Sequence, residues 1–281
     1  MPFQMEVLPV VEVVNESSMI SSIIVQPDDS RRWLSMMPGQ FIMVWIPGVD
    51  EVPMSVSSVG GDPIGLGITV QKIGEATDAL CSLEEGSLIG IRGPYGNGFT
   101  IPDDGSVERV IGVSGGVGAA STVMAMERAA GTGIHTVNLV GSRSANIMIY
   151  RERWEDISDS VRFSTDDGSF GHHGFVTDLL KEELGRMNRE DLDTALVITC
   201  GPEAMMSAVH GILKEFGVKG QFSLERLMKC GLGVCDSCSA SGKRVCQDGP
   251  VFGSDEIDLI EEFGKSHRDR AGRKRSLGEC V

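Results

Sequence analysis

The chain has 281 residues, enough for about two domains, and its 41% apolar content supplies an ordinary core. A formal charge of −15 argues against nucleic acid or an anionic membrane as the main partner, and 5% aromatics are too few for base-stacking platforms. No apolar run nears the ~20 residues of a membrane helix and the N-terminus lacks a secretory pattern, so the cytoplasm is the expected location.

Residues 1–102 read as β structure. Short runs rich in Val, Ile and Met (5–14, 19–25, 41–46, 55–58, 64–73 and 87–92) are separated by Pro-Gly, Gly-Gly-Asp-Pro and Glu-Glu-Gly turns. Many short strands with regular turn signals imply a sandwich or a barrel. Residues 75–83 are the one helix-like insertion. Segments 51–55, 68–77 and 93–98 read as unusual turns; there Ser55 and Thr77 offer hydrogen bonds and Lys72 a positive charge. Singly, each is equally an ordinary turn.

The pattern changes at Arg109. Strand-like runs at 110–113, 136–140, 161–164 and 195–199 alternate with helix-like runs at 119–130, 149–156, 176–184 and 202–216. Such alternation predicts a parallel sheet, which binds ligands at the carboxyl ends of its strands. At one such end stand Ser114, Gly115, Gly116, Val117 and Gly118; at another stand Cys200, Gly201 and Pro202. Glycines between strand and helix permit a tight turn and let a diphosphate approach the backbone. The full G-x-G-x-x-G spacing is absent, so a plain packing turn is the competing reading. Cys200 would lie where a nicotinamide sits, or be a small buried apolar residue.

Regularity dissolves after Gly217. Residues 222–252 read as Cys- and Gly-rich loop, 255–263 as a short helix and 265–275 as a basic stretch, either a solvated tail or a strap against an acidic partner. Cys230, Cys235, Cys238 and Cys246 follow the spacing C-x4-C-x2-C-x7-C. The first three match the run of plant-type [2Fe-2S] ferredoxins, and the small residues between them let backbone N–H groups reach the sulfurs. A zinc knuckle stapling the terminus is the alternative. Cys81 and Cys280 read as ordinary thiols.

Taken in order, the Pro-Met-Ser turn, Gly-Pro-Tyr-Gly, Ser-Gly-Gly-Val-Gly and Cys-Gly-Pro-Glu-Ala-Met-Met resemble the ferredoxin–NADP reductase superfamily over nearly the whole chain. The flanks Ser-Leu-Glu-Arg before Cys230 and Cys-Gln-Asp-Gly-Pro-Val-Phe from Cys246 are similar to one branch, the electron-transfer subunits of class 1B dihydroorotate dehydrogenases. The resemblance implies three parts. They are an antiparallel FAD-binding β-barrel (1–102), an NAD-binding α/β domain (107–218) and a small [2Fe-2S] domain with a basic tail (221–281). It also implies electron passage between NAD(H), FAD and the cluster, and on to the FMN of a catalytic partner subunit in a hetero-oligomer that makes orotate for pyrimidine synthesis. By the family's motif, Val52, Pro53, Met54, Ser55, Val70, Gln71, Lys72, Gly74, Ala76 and Thr77 contact the flavin. Gly115, Gly116, Val117, Gly118, Cys200, Gly201 and Pro202 serve the nucleotide. One departure stands out: Val52, preceded by Glu51, replaces the family's usual arginine. Reductase subunits of hydrogenases, sulfite reductases or transhydrogenase-like complexes share these parts, and a zinc-stapled scaffold is the rival from another class.

Overall fold

The computed structural model describes residues 4–28, 30–61, 63–269 and 271–277. Its first part contains β1 (Glu6–Ser17), β2 (Ile20–Val25), α1 (Ser30–Leu34), β3 (Phe41–Ile46), β4 (Asp50–Gly60), β5 (Gly65–Gln71), α2 (Glu75–Leu80) and β6 (Leu88–Tyr95). The strands close antiparallel in the order β1-β2-β5-β4-β3-β6, with β1 pairing β6 to seal the barrel. Alternation dictates the inside: Leu8 and Val10 of β1 are buried while Val7 is 52% exposed. Residues 51–55 and 93–95, expected as turns, are strand instead, and the helix α1 had no sequence signal.

Strand β3 is buried on both faces, and its two faces belong to different cores. Ile42, Val44 and Ile46 point into the barrel. Phe41 and Met43 point out, into a core that also contains Cys238 and Cys246. One strand thus serves two domains.

The second part runs β7 (Arg109–Gly115), α3 (Ala119–Gly131), β8 (His135–Ser142), α4 (Arg151–Asp156), β9 (Ser160–Thr165), β10 (His172–His173), α5 (Val176–Gly185), α6 (Arg189–Asp193), β11 (Ala195–Cys200), α7 (Glu203–Phe216) and β12 (Lys219–Ser223). The sheet order is β10-β9-β8-β7-β11-β12-β15, parallel except where β15 (Val251–Gly253) runs against β12. All six residues of β11 are buried, as a parallel strand covered on both faces requires. Two strands from the region expected to be loop, β12 and β15, therefore extend the sheet.

The remainder holds the ribbon β13 (Ser239–Ala240) and β14 (Lys243–Arg244), α8 (Val245–Asp248), α9 (Ser254–Ile257), and a hairpin of β16 (Ser266–Arg268) and β17 (Lys274–Ser276). The basic stretch is thus folded, not a free tail. Among the described residues no helix is long and apolar enough to cross a membrane.

Candidate functional site

A cleft opens where the barrel meets the sheet, and strand geometry explains it. Strand β5 pairs with β4 only from Val56 onward, while residues 50–55 of β4 pair with β3 alone. The two strands splay, so Pro53, Met54 and Ser55 face Thr69, Val70 and Gln71 across an open mouth. Pro53 is tolerated because that stretch of β4 needs no ladder bond on the open side. Val117, in the turn before α3, and Ala120 and Ser121 of α3 supply the far wall, and Ser121 Oγ donates to Ser55 Oγ at 2.8 Å. The segment after β12 closes the cleft with Leu224, Glu225, Arg226 and Met228.

Of the residues singled out from sequence, Pro53, Met54, Ser55, Val70, Gln71, Thr77 and Val117 line this cleft. Thr77 Oγ1 is engaged in closing its own turn, accepting from the amides of Ile73 and Gly74 and donating to the Gly74 carbonyl. Ala76 is buried in the barrel core, and Val52 packs partly against it. Lys72 is tied through its amide to the Met19 carbonyl at 2.9 Å, and neither its side chain nor Gly74 lines the cleft.

The two glycine turns meet backbone to backbone. A Cβ on Gly118 would lie 2.6 Å from the Cys200 carbonyl, and one on Gly201 would lie 2.9 Å from Gly115 Cα. A Cβ on Gly115 would press on Pro202 and Met205. These three glycines are required for packing between β7 and β11. Gly116 differs: its φ is +55° and a side chain there would meet nothing within 4 Å. It is the position where something external can approach the helix start.

Cys200 is fully buried. Burial, with the Glu225 carboxylate adding, pushes its thiol up to about 12 against contacts from Ser121 and Ser223. It therefore stays a neutral thiol at the edge of the sheet. Glu225 is an exposed residue on the cleft wall; desolvation by the surrounding protein, with Glu203 nearby, raises its carboxyl. Arg226 forks onto Glu203, with its NH2 group 3.0 Å from Oε1, and only 4% of its side chain is exposed. Its Nε is buried with no partner among the described residues. Sequence reading passed over these cleft residues: Ser223, Leu224, Glu225 and Arg226 registered only as a flank of the cysteine run, because nothing local says that the chain folds back against the barrel.

The cysteine run lies against the outer face of β3. A Cβ on Gly231 would sit 2.9 Å from Met43 Cγ and 3.5 Å from Tyr95. The four thiols lie near one another, Cys235 beside Cys230 and Cys246 beside Cys238, with Cys230 also near Cys246. Backbone amides approach the sulfurs: Leu232 to Cys230 at 3.3 Å, Gly233 to Cys246 at 3.2 Å and Cys246 to Cys238 at 3.4 Å. Among the described residues no three His, Cys, Asp or Glu gather as a set for one ion. N–H groups aimed at sulfur are what an iron–sulfur cluster uses, and the four thiols with these amides fit such a group. Cys235 is exposed while Cys238 and Cys246 are buried. Cys81 is a buried free thiol, and Cys280 lies outside the described residues.

A barrel joined to a parallel-sheet domain across a cleft, with a cysteine loop packed on the barrel, defines a reductase of the ferredoxin–NADP reductase type carrying an iron–sulfur domain. The structure of an NADH-dependent reduced ferredoxin–NADP oxidoreductase superposes with a TM-score of 0.78 at 24% identity, covering 92% of each chain. The cytochrome b5 reductase domain of Ulva prolifera nitrate reductase superposes at 0.63 and 15% identity, over 77% of this chain and 94% of that one. Residues 225–258 match the iron–sulfur cluster binding domain of dihydroorotate dehydrogenase B, and residues 113–211 match the oxidoreductase NAD-binding domain. Proteins named probable dihydroorotate dehydrogenase B (NAD(+)), electron transfer subunit, from Methanocaldococcus jannaschii and Methanocella arvoryzae are 40% and 42% identical, over 94% and 95% of this chain and 95% and 96% of theirs. The chain belongs to the family of electron transfer subunits of dihydroorotate dehydrogenase B.

Proposed function

We propose that this chain is the NAD-linked electron-transfer subunit of a dihydroorotate dehydrogenase, working in the cytoplasm with an FMN-bearing catalytic subunit in pyrimidine synthesis. The observation that carries this reading is the position of Met43. Its side chain touches the cysteine loop at Gly231, and its backbone pairs with Pro53 on the cleft wall. A single strand separates the cysteine loop from the cleft, and a short separation is what a relay of electrons requires.

The chain divides by role into a flavin barrel (1–102), a nucleotide domain (107–218) and a cluster domain (221–281). The open edge of β4 at Pro53, Met54 and Ser55 offers unladdered backbone groups to the polar rim of the FAD ring, opposite Val70 and Gln71. Ser121 donates to Ser55, which leaves the Ser55 proton free to point into the cleft. Arg226 stands in the cleft wall beside Glu225, with its charge paired to Glu203. Gly116 gives the NAD diphosphate its approach, with Val117 beside it, while Gly115, Gly118, Gly201 and Pro202 hold the two turns together. Cys200, kept neutral, floors the nicotinamide site. Cys230, Cys235, Cys238 and Cys246 would hold the [2Fe-2S] cluster. When bound, the flavin exchanges a hydride with NAD(H) and the cluster carries electrons singly, chemistry that belongs to the cofactors while the protein positions them.

Anaerobic titration with NADH, combined with iron and acid-labile sulfide analysis, tests the reading. Bleaching of the flavin band followed by loss of cluster absorption is expected. A colourless protein with one zinc per chain would overturn it.

A further inference from the structure

The C-terminal hairpin lies beside the cysteine loop, and nothing in the electron path through the cleft uses it. Residues 265–276 contain six of the chain's 25 Lys and Arg and only one of its 40 Asp and Glu. On a chain of net charge −15, this is a concentrated reversal of sign. The fold presents it outward. Every described residue from Ala271 to Ser276 is exposed.

The hairpin's own carboxylate is turned inward to build the turn. Asp269 accepts from the amides of Ala271 and Arg273 at 2.9 Å and from Arg275 at 3.0 Å. Arg268 and Lys274 share one acid, Glu262, at 3.8 and 3.6 Å, and remain 41% and 60% exposed. Lys265, Arg273 and nearby Lys229 are exposed and form no ion pair among the described residues. Cations are in excess.

A groove runs between this hairpin and the cysteine loop. Lys229, Cys235 and Ser237 form one wall, and Arg268, Asp269 and Gly272 the other. At its lip stands Val234, an apolar side chain 82% exposed immediately before the exposed Cys235. Asp236 also lines the groove, but with Asp269 engaged in its own turn the cations Lys229, Arg268, Arg273 and Lys274 outnumber the acids around it. An apolar tip beside a net-cationic rim fits a protein-docking surface. Rim charges of one sign act chiefly by steering the encounter, which raises the on-rate at low salt.

We infer that the β16–β17 hairpin is an electrostatic docking element that guides an acidic face of the catalytic subunit onto the loop carrying Val234 and Cys235. The inference rests on the reading that this loop holds a redox cluster. A protein surface suits the patch better than a nucleic acid, because the acidic remainder of the chain repels an extended polyanion beyond the hairpin.

The test is association of the catalytic subunit with the full chain, wild type against the double variant Arg273→Glu/Lys274→Glu. An exposed control, Lys181→Glu on α5, is carried alongside. The double variant is expected to associate about tenfold more slowly at roughly 20 mM salt and to converge with wild type near about 500 mM, where the charges are screened. The control should match wild type throughout, and the melting temperature should show that the variant is folded. A wild-type on-rate for the double variant at low salt would overturn the inference. So would an effect confined to RNA or anionic-vesicle binding. NADH reduction of flavin and cluster within the isolated chain is measured in parallel: its failure would count against the cofactor reading, whereas a docking failure leaves it intact.

Discussion

Asn97, at the end of the barrel, is bonded to Val251 of the outermost sheet strand: the Val251 amide donates to Asn97 Oδ1 at 3.0 Å. The same side chain donates from Nδ2 to the Asp248 carbonyl at 3.1 Å, and the Asn97 amide donates to the Gly249 carbonyl at 2.7 Å. Three bonds from one residue hold the barrel against the segment that follows Cys246. Replacing Asn97 with Ala removes two of them and leaves a part-buried amide without its acceptor. A loss of about 1–3 kcal/mol in chemical unfolding is expected. Slower cluster reduction by NADH should accompany it; an unchanged unfolding midpoint would show that other contacts seat the cluster domain.

Gly118 and Gly116 should respond differently to Ala. At Gly118 the new methyl meets backbone of Cys200 and Gly201, which cannot swing aside. Overpacking there is expected to cost about 1–3 kcal/mol or more. At Gly116 there is space, so the cost is about 1 kcal/mol for the left-handed backbone alone, and the main effect is weaker NADH binding. Thermal unfolding and NADH titration of the two variants separate these effects; equal behaviour of both would refute the distinction.

The Arg226–Glu203 pair is nearly buried, and Glu203 also accepts from the Gly264 amide at 2.8 Å. Arg226→Met strands that carboxylate, and breaking one side of a buried pair typically costs about 3–5 kcal/mol. Loss of cooperative unfolding at ordinary temperature, or a melting point lowered by many degrees, is the expected reading in a thermal scan. Retention of full stability would mean that Gly264 alone compensates Glu203.

Glu225 predicts the sign of a pH effect. Its carboxyl is raised by desolvation and by Glu203, so on titration the unfolded chain loses this proton first. Its contribution to stability is therefore complete at low pH and declines as pH rises through the ordinary Glu value toward the raised one. Glu225→Gln should flatten that part of the profile and raise stability near neutrality. Melting temperatures of both proteins over roughly pH 4–8 provide the check; parallel profiles would contradict it.

Cys235 is the exposed ligand candidate, so Cys235→Ser should lose cluster absorption and iron while the fold and the NADH-reducible flavin band remain. Far-UV circular dichroism together with visible spectra distinguishes the cases. Loss of flavin along with the cluster would show that the domains depend on one another for their cofactors.

Short apolar runs between turn signals, strand–helix alternation and cysteine spacing are local properties of a chain, and for that reason the amino-acid sequence by itself pointed to a β sandwich or barrel, a parallel sheet, the two glycine turns and the four clustered thiols. It could not reveal that β12 and β15 extend the sheet, because Phe222 and Phe252 find each other only after the cysteine loop between them has folded back. Nor could it sort the glycines. Gly115, Gly118 and Gly201 look like ligand-approach positions in the sequence, but in the fold they are where two backbones touch. The cleft itself is tertiary: Ser55, Ser121 and Arg226 are far apart along the chain and converge because β4 and β5 splay. Met43 reads as one more apolar strand residue, yet its outward direction brings the cysteine loop against the cleft wall, and that juxtaposition comes from packing, which no local pattern encodes.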